Sequence, residues 1–162
     1  GDGETGSGGE VTHTWTDDGT YTVTVTASDE DGGETTETFN IGISNRAPTL
    51  QVSASATSGD EGDSFAFSAV TSDVTDDTVS VTWDFGDGGS ATGLAVTHTF
   101  TDDGTFVVEV ISSDEDGGVT SEKLFITIAN VAPTLTNLQL PSSVKQGEPR
   151  QPIRTPCRSS WR

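Results

Sequence analysis

The chain has 162 residues and is strongly acidic, with 26 acidic residues against 7 basic ones and a net charge of −19 at pH 7. This charge excludes nucleic acid and anionic membrane surfaces as partners, because both would repel it. No apolar run approaches the roughly 18 residues of a membrane span, and a single cysteine, at position 157, excludes a disulfide framework.

The sequence repeats with a period of 85 residues. Residues 1–50 match residues 86–135 at about 30 of 50 positions without a gap. The opening "GDGETG" therefore aligns with part of a later "WDFGDGG", and the register is lost after position 148. We predict four segments, which are the C-terminal half of one module at 1–46, a complete module at 47–131, the start of a third module at 132–148, and a basic tail at 149–162.

The composition changes abruptly in the tail. Five of the seven basic residues and the only cysteine lie in the last 18 residues, where arginine, proline and serine replace the acidic repeat. This change predicts that residues 149–162 are translated out of frame or are disordered. The alternative is a genuine basic tail that binds acidic partners.

The predicted elements of the repeat are strands. "TYTVTVTA" (20–27) alternates apolar residues with threonine, and "SFAFSAV" (64–70) and "VSVTWDF" (79–85) alternate in the same way in the complete module. "TFVVEVIS" (105–112) and "LFITIAN" (124–130) follow, separated by Gly/Asp turns. Such period-2 patterns of β-branched and aromatic residues predict about seven short strands. The predicted fold class is all-β, an antiparallel β-sandwich with immunoglobulin-like topology.

The central motif resembles a known family. "WDFGDGG" (83–89) is followed by "VTHTF" (96–100) and "DDGTFVVEVISSDEDGG" (102–118), and this order resembles the polycystic-kidney-disease (PKD) domain. The resemblance covers residues 47–131 completely. It implies tandem immunoglobulin-like sandwiches in a bacterial or archaeal surface or secreted protein, outside the cell. The motif residues are Trp83, Asp84, Phe85, Gly86, Asp87, Gly88 and His98.

We expect these motif residues to be structural. Trp83 shares the parity of the apolar residues in its strand, so it is predicted to anchor the core; a ligand-stacking platform is the alternative. Gly86 and Gly88 permit the positive φ angles of a tight turn, where Asp87 can bond backbone amides. His98 recurs 85 residues earlier. This duplication favours a partly buried histidine bonded to a loop carbonyl over a catalytic histidine.

Two acidic loops are predicted at one end of the sandwich. The B–C loop "TSDVTDD" (71–77) and the F–G loop "SDEDGG" (113–118) lie at the same end in this topology, where the first strand also starts after the linker "NRAP" (45–48). Carboxylates that converge there repel one another unless a cation lies among them, and Ca²⁺ accepts about six to eight oxygen ligands. The resemblance also implies calcium, because some PKD-like domains of secreted proteases bind it. The candidate calcium ligands are Asp73, Asp76, Asp77, Asp114 and Asp116.

The alternative to calcium is a solvated acidic surface. A salt-loving or marine host would account for this composition without a specific site, since salt screens the self-repulsion over about 8–10 Å. The motif "TDDGT" (16–20 and 101–105) is predicted to be only a hairpin-type turn.

The predicted function is that of a non-catalytic extracellular spacer or adhesion module of a larger protein. Its partners would be protein or polysaccharide at the cell surface and the neighbouring modules of the same chain. The alternative is a carbohydrate- or substrate-binding accessory of a secreted protease or glycosidase. That alternative needs exposed aromatic residues, and the candidates Phe100 and Phe125 are expected to be partly buried. We predict no enzymatic activity, because the sequence has no Cys/His dyad, no histidine cluster and no phosphate loop.

Overall fold

A computed structural model describes residues 1–75 and 77–135 of the chain. The described residues form strands and turns, and no helix among them is long and apolar enough to cross a membrane. The strands are β1 (Gly19–Ser28), β2 (Glu34–Ile43), β3 (Thr49–Ala54), β4 (Ser58–Asp60), β5 (Ser64–Ser72), β6 (Ser80–Asp84), β7 (Ser90–Thr92), β8 (Ala95–Thr99), β9 (Gly104–Ser113) and β10 (Val119–Ala129).

Strands β3 to β10 form a sandwich of two sheets. One sheet has the order β3-β5-β8 and the other the order β4-β10-β9-β6-β7. Neighbouring strands are antiparallel except for β4, which runs parallel to β10. The predicted all-β sandwich is confirmed. The sequence predicted about seven strands and the sandwich has eight, because its first segment divides between the two sheets as β3 and β4 and the short β7 adds a further edge.

The core is aromatic and lies between the two sheets. Phe67 of β5 contacts Trp83 and Phe85 across the sandwich, with ring centroids 5.8 Å and 5.4 Å apart. Val108 and Val110 of β9 are fully buried beside them. These residues all have the inward parity that the alternating pattern predicts, since successive side chains of a strand point to opposite faces.

Strands β1 and β2 form a separate two-stranded hairpin whose apolar face is only partly covered. Val25 is 53% exposed and Phe39 is 49% exposed, whereas Val110, which occupies the position of Val25 in the repeat, is fully buried. The reason is that residues 1–18 contain no strand that could cover the hairpin. The two copies of the repeat thus share a strand pattern and differ in packing.

The chain divides into two compact units, Gly1–Asn130 and Val131–Arg162. The first unit contains both the hairpin and the sandwich. The predicted boundary at residue 46 falls within it, between β2 and β3, and stays a prediction. Most of the predicted third module (132–148) and the whole basic tail (149–162) lie outside the described residues, which end at 135.

Candidate functional site

The "WDFGDGG" motif forms the tight turn that joins β6 to β7. Gly86 and Gly88 have φ angles of 78° and 92°. A Cβ atom on Gly86 would also lie 2.7 Å from the carbonyl oxygen of Val107, so a side chain is excluded there by both backbone conformation and space. Asp84 accepts a hydrogen bond from the Gly86 amide at 2.9 Å. The glycines of the motif are therefore required by the turn.

His98 fastens this turn to the sandwich. Its Nε2 atom lies 2.7 Å from Oδ2 of Asp87, and its ring stacks on Phe85 with centroids 3.9 Å apart. Burial raises the pKa of Asp87, but the hydrogen bonds from His98 and the Gly89 amide outweigh it and hold that pKa below its usual range. The expected partner of the histidine was a loop carbonyl, and the structure instead gives it the Asp87 carboxylate. His13 makes the same contact with an aspartate of its own copy of the repeat, at 2.6 Å.

The aromatic candidates separate into buried and exposed residues. Trp83 is 1% exposed, and its Nε1 donates to the carbonyl oxygen of Gly93 at 2.8 Å. Phe100 is fully buried in the core. The expectation for Phe125 was wrong, because this side chain is 63% exposed on the outer face of β10, opposite the 39% exposed Val107 of β9. Its parity places it on the solvent face of the larger sheet, and no second sheet covers that face among the described residues.

Three segments meet at the end of the sandwich where β3 begins. They are the linker 44–48, the B–C loop between β5 and β6, and the F–G loop between β9 and β10. The Thr78 hydroxyl of the B–C loop donates to the Glu115 carboxylate of the F–G loop. The Thr120 hydroxyl donates to the carbonyl oxygen of Pro48 at 2.6 Å. The first bond joins the two predicted acidic loops, and the second joins the start of β10 to the linker.

Asp114 is the central carboxylate of this end and is 9% exposed. It accepts hydrogen bonds from Nδ2 of Asn45 at 3.0 Å and from the amides of Gly118 at 2.7 Å and Asp116 at 3.0 Å. The bond from Asn45 is the main reason that the pKa of Asp114 is lowered; burial opposes it, and the two amides reinforce it. Asp114 is therefore ionised and ties the linker to the F–G loop.

The candidate calcium ligands form two overlapping groups. In the first, one carboxylate oxygen each of Asp73, Asp77 and Asp114 lies within 4.8 Å of the others. In the second, one carboxylate oxygen each of Asp17, Asp77 and Asp116 lies within 4.8 Å of the others, and Asp17 precedes β1. Asp77 belongs to both groups. The remaining candidate, Asp76, lies outside the described residues.

The carboxylates at this end repel one another, and the surrounding protein groups do not offset the repulsion at Asp77 and Asp116. Burial, and then the charges of Asp73 and Asp116, raise the pKa of Asp77. Burial, and then the charges of Asp18 and Asp17, raise the pKa of Asp116. Both shifts mean that the folded protein disfavours the negative charge on these groups.

Three buried oxygen atoms at this end also lack a hydrogen-bond partner. They are Oδ1 of Asn45, Oδ2 of Asp73 and Oδ1 of Asp77. Buried acceptors without a donor are unfavourable and require an explanation, such as an ion. Carboxylate and amide oxygens are the ligands that Ca²⁺ prefers. The residues present therefore fit a calcium ion.

Sequence reasoning missed two residues of this end. Asn45 was assigned to the linker alone, and Asp17 was assigned only to a turn. The available signal was the repeat itself, since Asn45 recurs as Asn130 and Asp17 recurs as Asp102. Asp102 belongs to a third acidic group, with Glu61 and Asp103. That group was not predicted.

Comparisons with known proteins agree with this geometry. The family model of the PKD domain matches residues 1–43 and 45–128. A microbial collagenase of Vibrio alginolyticus is 37% identical over 76 residues, which are 46% of this chain and 9% of the collagenase. The chain therefore spans less than a tenth of that relative.

Two solved structures are similar in fold. One, from a study of the promiscuous specificity of carbohydrate-binding modules of the β-sandwich superfamily, has a TM-score of 0.51 and 25% identity, and the match covers 59% of this chain and 40% of that one. The other is the PKD domain of an M14-like peptidase from a Thermoplasmatales archaeon, with a TM-score of 0.46 and 23% identity over 52% of this chain and 98% of that domain. With the family model matched in two successive segments, the chain belongs to the PKD domain family and carries its modules in tandem.

Proposed function

We propose that the chain is a non-catalytic spacer segment of a larger extracellular protein, in which tandem modules hold other domains apart. The observation that carries this proposal is the position of the two ends of the sandwich. β3 begins beside the F–G loop, where Thr120 contacts Pro48. β10 finishes at the opposite end of the sandwich, where the Ala129 carbonyl accepts a hydrogen bond from the Glu61 amide at 3.1 Å. A chain that enters at one end and leaves at the other builds an extended array.

Small-angle scattering tests the spacer proposal. β10 has 11 residues, which at about 3.3 Å each give the module a length of about 35 Å. Arrays in which residues 47–131 are repeated two, three and four times should therefore lengthen by roughly that amount per module. A maximum dimension that grows much more slowly would mean that the modules fold back on one another, and would contradict the proposal.

The second candidate function is a substrate-binding accessory of a secreted hydrolase. Two observations favour it, namely the similarity to a collagenase and the exposed Phe125–Val107 pair on the outer face of the larger sheet. Binding to insoluble collagen and to insoluble polysaccharides tests it. A binding accessory should lose retention in Phe125→Ser and keep it in Val70→Ser, because Val70 is 67% exposed on the other sheet. No retention of the wild type on either material would exclude this candidate for those substrates.

We also propose that the acidic end of the complete module holds Ca²⁺. Asp73, Asp77 and Asp114 would supply carboxylate oxygens and Asn45 an amide oxygen, with water completing the shell. At 10 mM Ca²⁺ a dissociation constant of about 0.1–1 mM, usual for extracellular modules, would stabilise the fold by about 1.4–2.7 kcal/mol. The melting temperature should therefore be roughly 6–20 °C higher in 10 mM Ca²⁺ than in chelator. Equal stabilisation by molar NaCl would indicate screening and would exclude the site.

A further inference from the structure

The turn before β1 reaches the acidic end of the sandwich. Between them lies a cavity of about 50 Å³, lined by Trp15 and Asp17 from the turn before β1, by Asn45 of the linker, and by Val74 and Asp77 of the sandwich. Such a volume exceeds the roughly 10–15 Å³ needed by one water molecule. The cavity therefore has room for a hydrated ion between two successive copies of the repeat.

The residues that line this cavity carry unsatisfied polar atoms on both sides. Oδ1 of Asn45 and Oδ1 of Asp77 are buried and make no hydrogen bond. Asp17 adds a further carboxylate, since its oxygen lies within 4.8 Å of those of Asp77 and Asp116. The Trp15 indole N–H is also buried without an acceptor, and a water molecule bound to an ion would supply one.

The nearest basic residue does not neutralise these carboxylates. Arg46 lines the same cavity, yet within residues 1–75 and 77–135 the ion pairs involve only His13, His98 and Lys123 as cations. The repeat places valine, not arginine, at the next position equivalent to Arg46. In contrast, two residues that offer oxygen ligands to the cavity recur at the period of the repeat, Asp17 as Asp102 and Asn45 as Asn130.

We propose that one divalent cation of the Ca²⁺ type is shared between consecutive modules, with Asp17 of one module and Asp77 and Asp116 of the next as ligands, so that its binding fixes the orientation of the two modules. This inference rests on the proposed calcium site and extends it. The ion within a single module would stabilise that module alone. The shared ion stiffens the junction between modules, which determines the length of an array.

Distance measurements between two spin labels, by double electron–electron resonance on the whole chain, test the shared site. In a Cys157→Ser background, spin labels at Thr24→Cys of β1 and Thr97→Cys of β8 report the distance between the hairpin and the sandwich; both side chains are exposed. Ca²⁺ should narrow this distance distribution to a single peak. In the Asp17→Asn chain the distance distribution should stay broad in Ca²⁺. The same substitution should weaken calcium affinity roughly tenfold, because the charge of the ligands tunes that affinity. Glu122→Gln is the control, because it removes one exposed charge outside the acidic groups, and it should behave as the wild type.

Each negative result of this experiment leads to a different conclusion. If the Asp17→Asn chain narrows like the wild type, or if the wild type stays broad although Ca²⁺ raises its melting temperature, the shared site is overturned and the calcium site of the complete module stands. If Ca²⁺ changes neither distance nor melting temperature, both proposals fail. If molar NaCl narrows the distribution as Ca²⁺ does, charge screening replaces the shared ion as the explanation.

Discussion

Val110 and Val25 provide a direct test of the difference between the two copies of the repeat. They occupy the same repeat position, and their antiparallel partners are equivalent as well, Glu122 for Val110 and Glu37 for Val25. Val110 is fully buried between the sheets, whereas Val25 is 53% exposed. Replacement by alanine removes the same two carbon atoms and changes strand propensity equally at both positions.

The expected costs differ because burial differs. At Val110 the loss of two buried groups at about 0.8 kcal/mol each, together with the cavity left behind, destabilises the sandwich by about 2–3 kcal/mol. For a module of this size that loss lowers the melting temperature by roughly 10–20 °C. Val25→Ala should stay within about 0.5 kcal/mol of the wild type, as exposed substitutions do.

Differential scanning calorimetry of the two variants in the whole chain measures this contrast. Two large effects would mean that the hairpin face is covered in solution, for example by a second copy. Two small effects would mean that the sandwich core is not packed as described. Either result would refute the reasoning.

Three further predictions concern single residues. Gly118→Ala should destabilise the chain by about 1–3 kcal/mol in denaturant unfolding, because its Cβ would overlap Oδ2 of Asp114; an unchanged midpoint would contradict the close packing of the F–G loop. Trp83→Phe should cost about 1–3 kcal/mol, because the smaller ring leaves a void in the core and loses the hydrogen bond to the Gly93 carbonyl, and a neutral result would mean that the core closes around phenylalanine. Asp77→Asn should raise the melting temperature in chelator and abolish the rise that Ca²⁺ gives, and a wild-type response to Ca²⁺ would remove Asp77 from the site. Because the folded pKa of Asp77 is raised, the stability advantage of Asp77→Asn over the wild type in chelator should shrink as the pH falls toward the ordinary aspartate pKa of about 4.

The sandwich could be predicted from the sequence because its strands alternate strictly. The inward parity of Phe67, Trp83 and Val110 needs only the period-2 pattern, which the buried core preserves. The short strands β4 and β7 could not be predicted, because three residues are too few to show a period. Phe125 was misplaced because an apolar residue of outward parity gives no information about whether another surface covers it.

The candidate site was predicted in part for a related reason. Loops that share one end of a known topology can be grouped from the sequence, and this grouping gave Asp73, Asp77, Asp114 and Asp116. Asp17 belongs to the preceding copy of the repeat, and contacts between successive copies depend on the path of the linker, which no local pattern specifies. The repeat nevertheless carried the signal, since functional residues at a junction recur with its period.

Isothermal titration of the whole chain with Ca²⁺ tests most directly whether the acidic end is a cation site. We predict saturable binding with a dissociation constant of about 0.1–1 mM that is lost in Asp73→Asn and kept in Glu122→Gln, which removes one charge outside the acidic groups. The absence of saturable heat, or equal binding by both variants, would contradict the account and leave the acidic residues as a solvated surface.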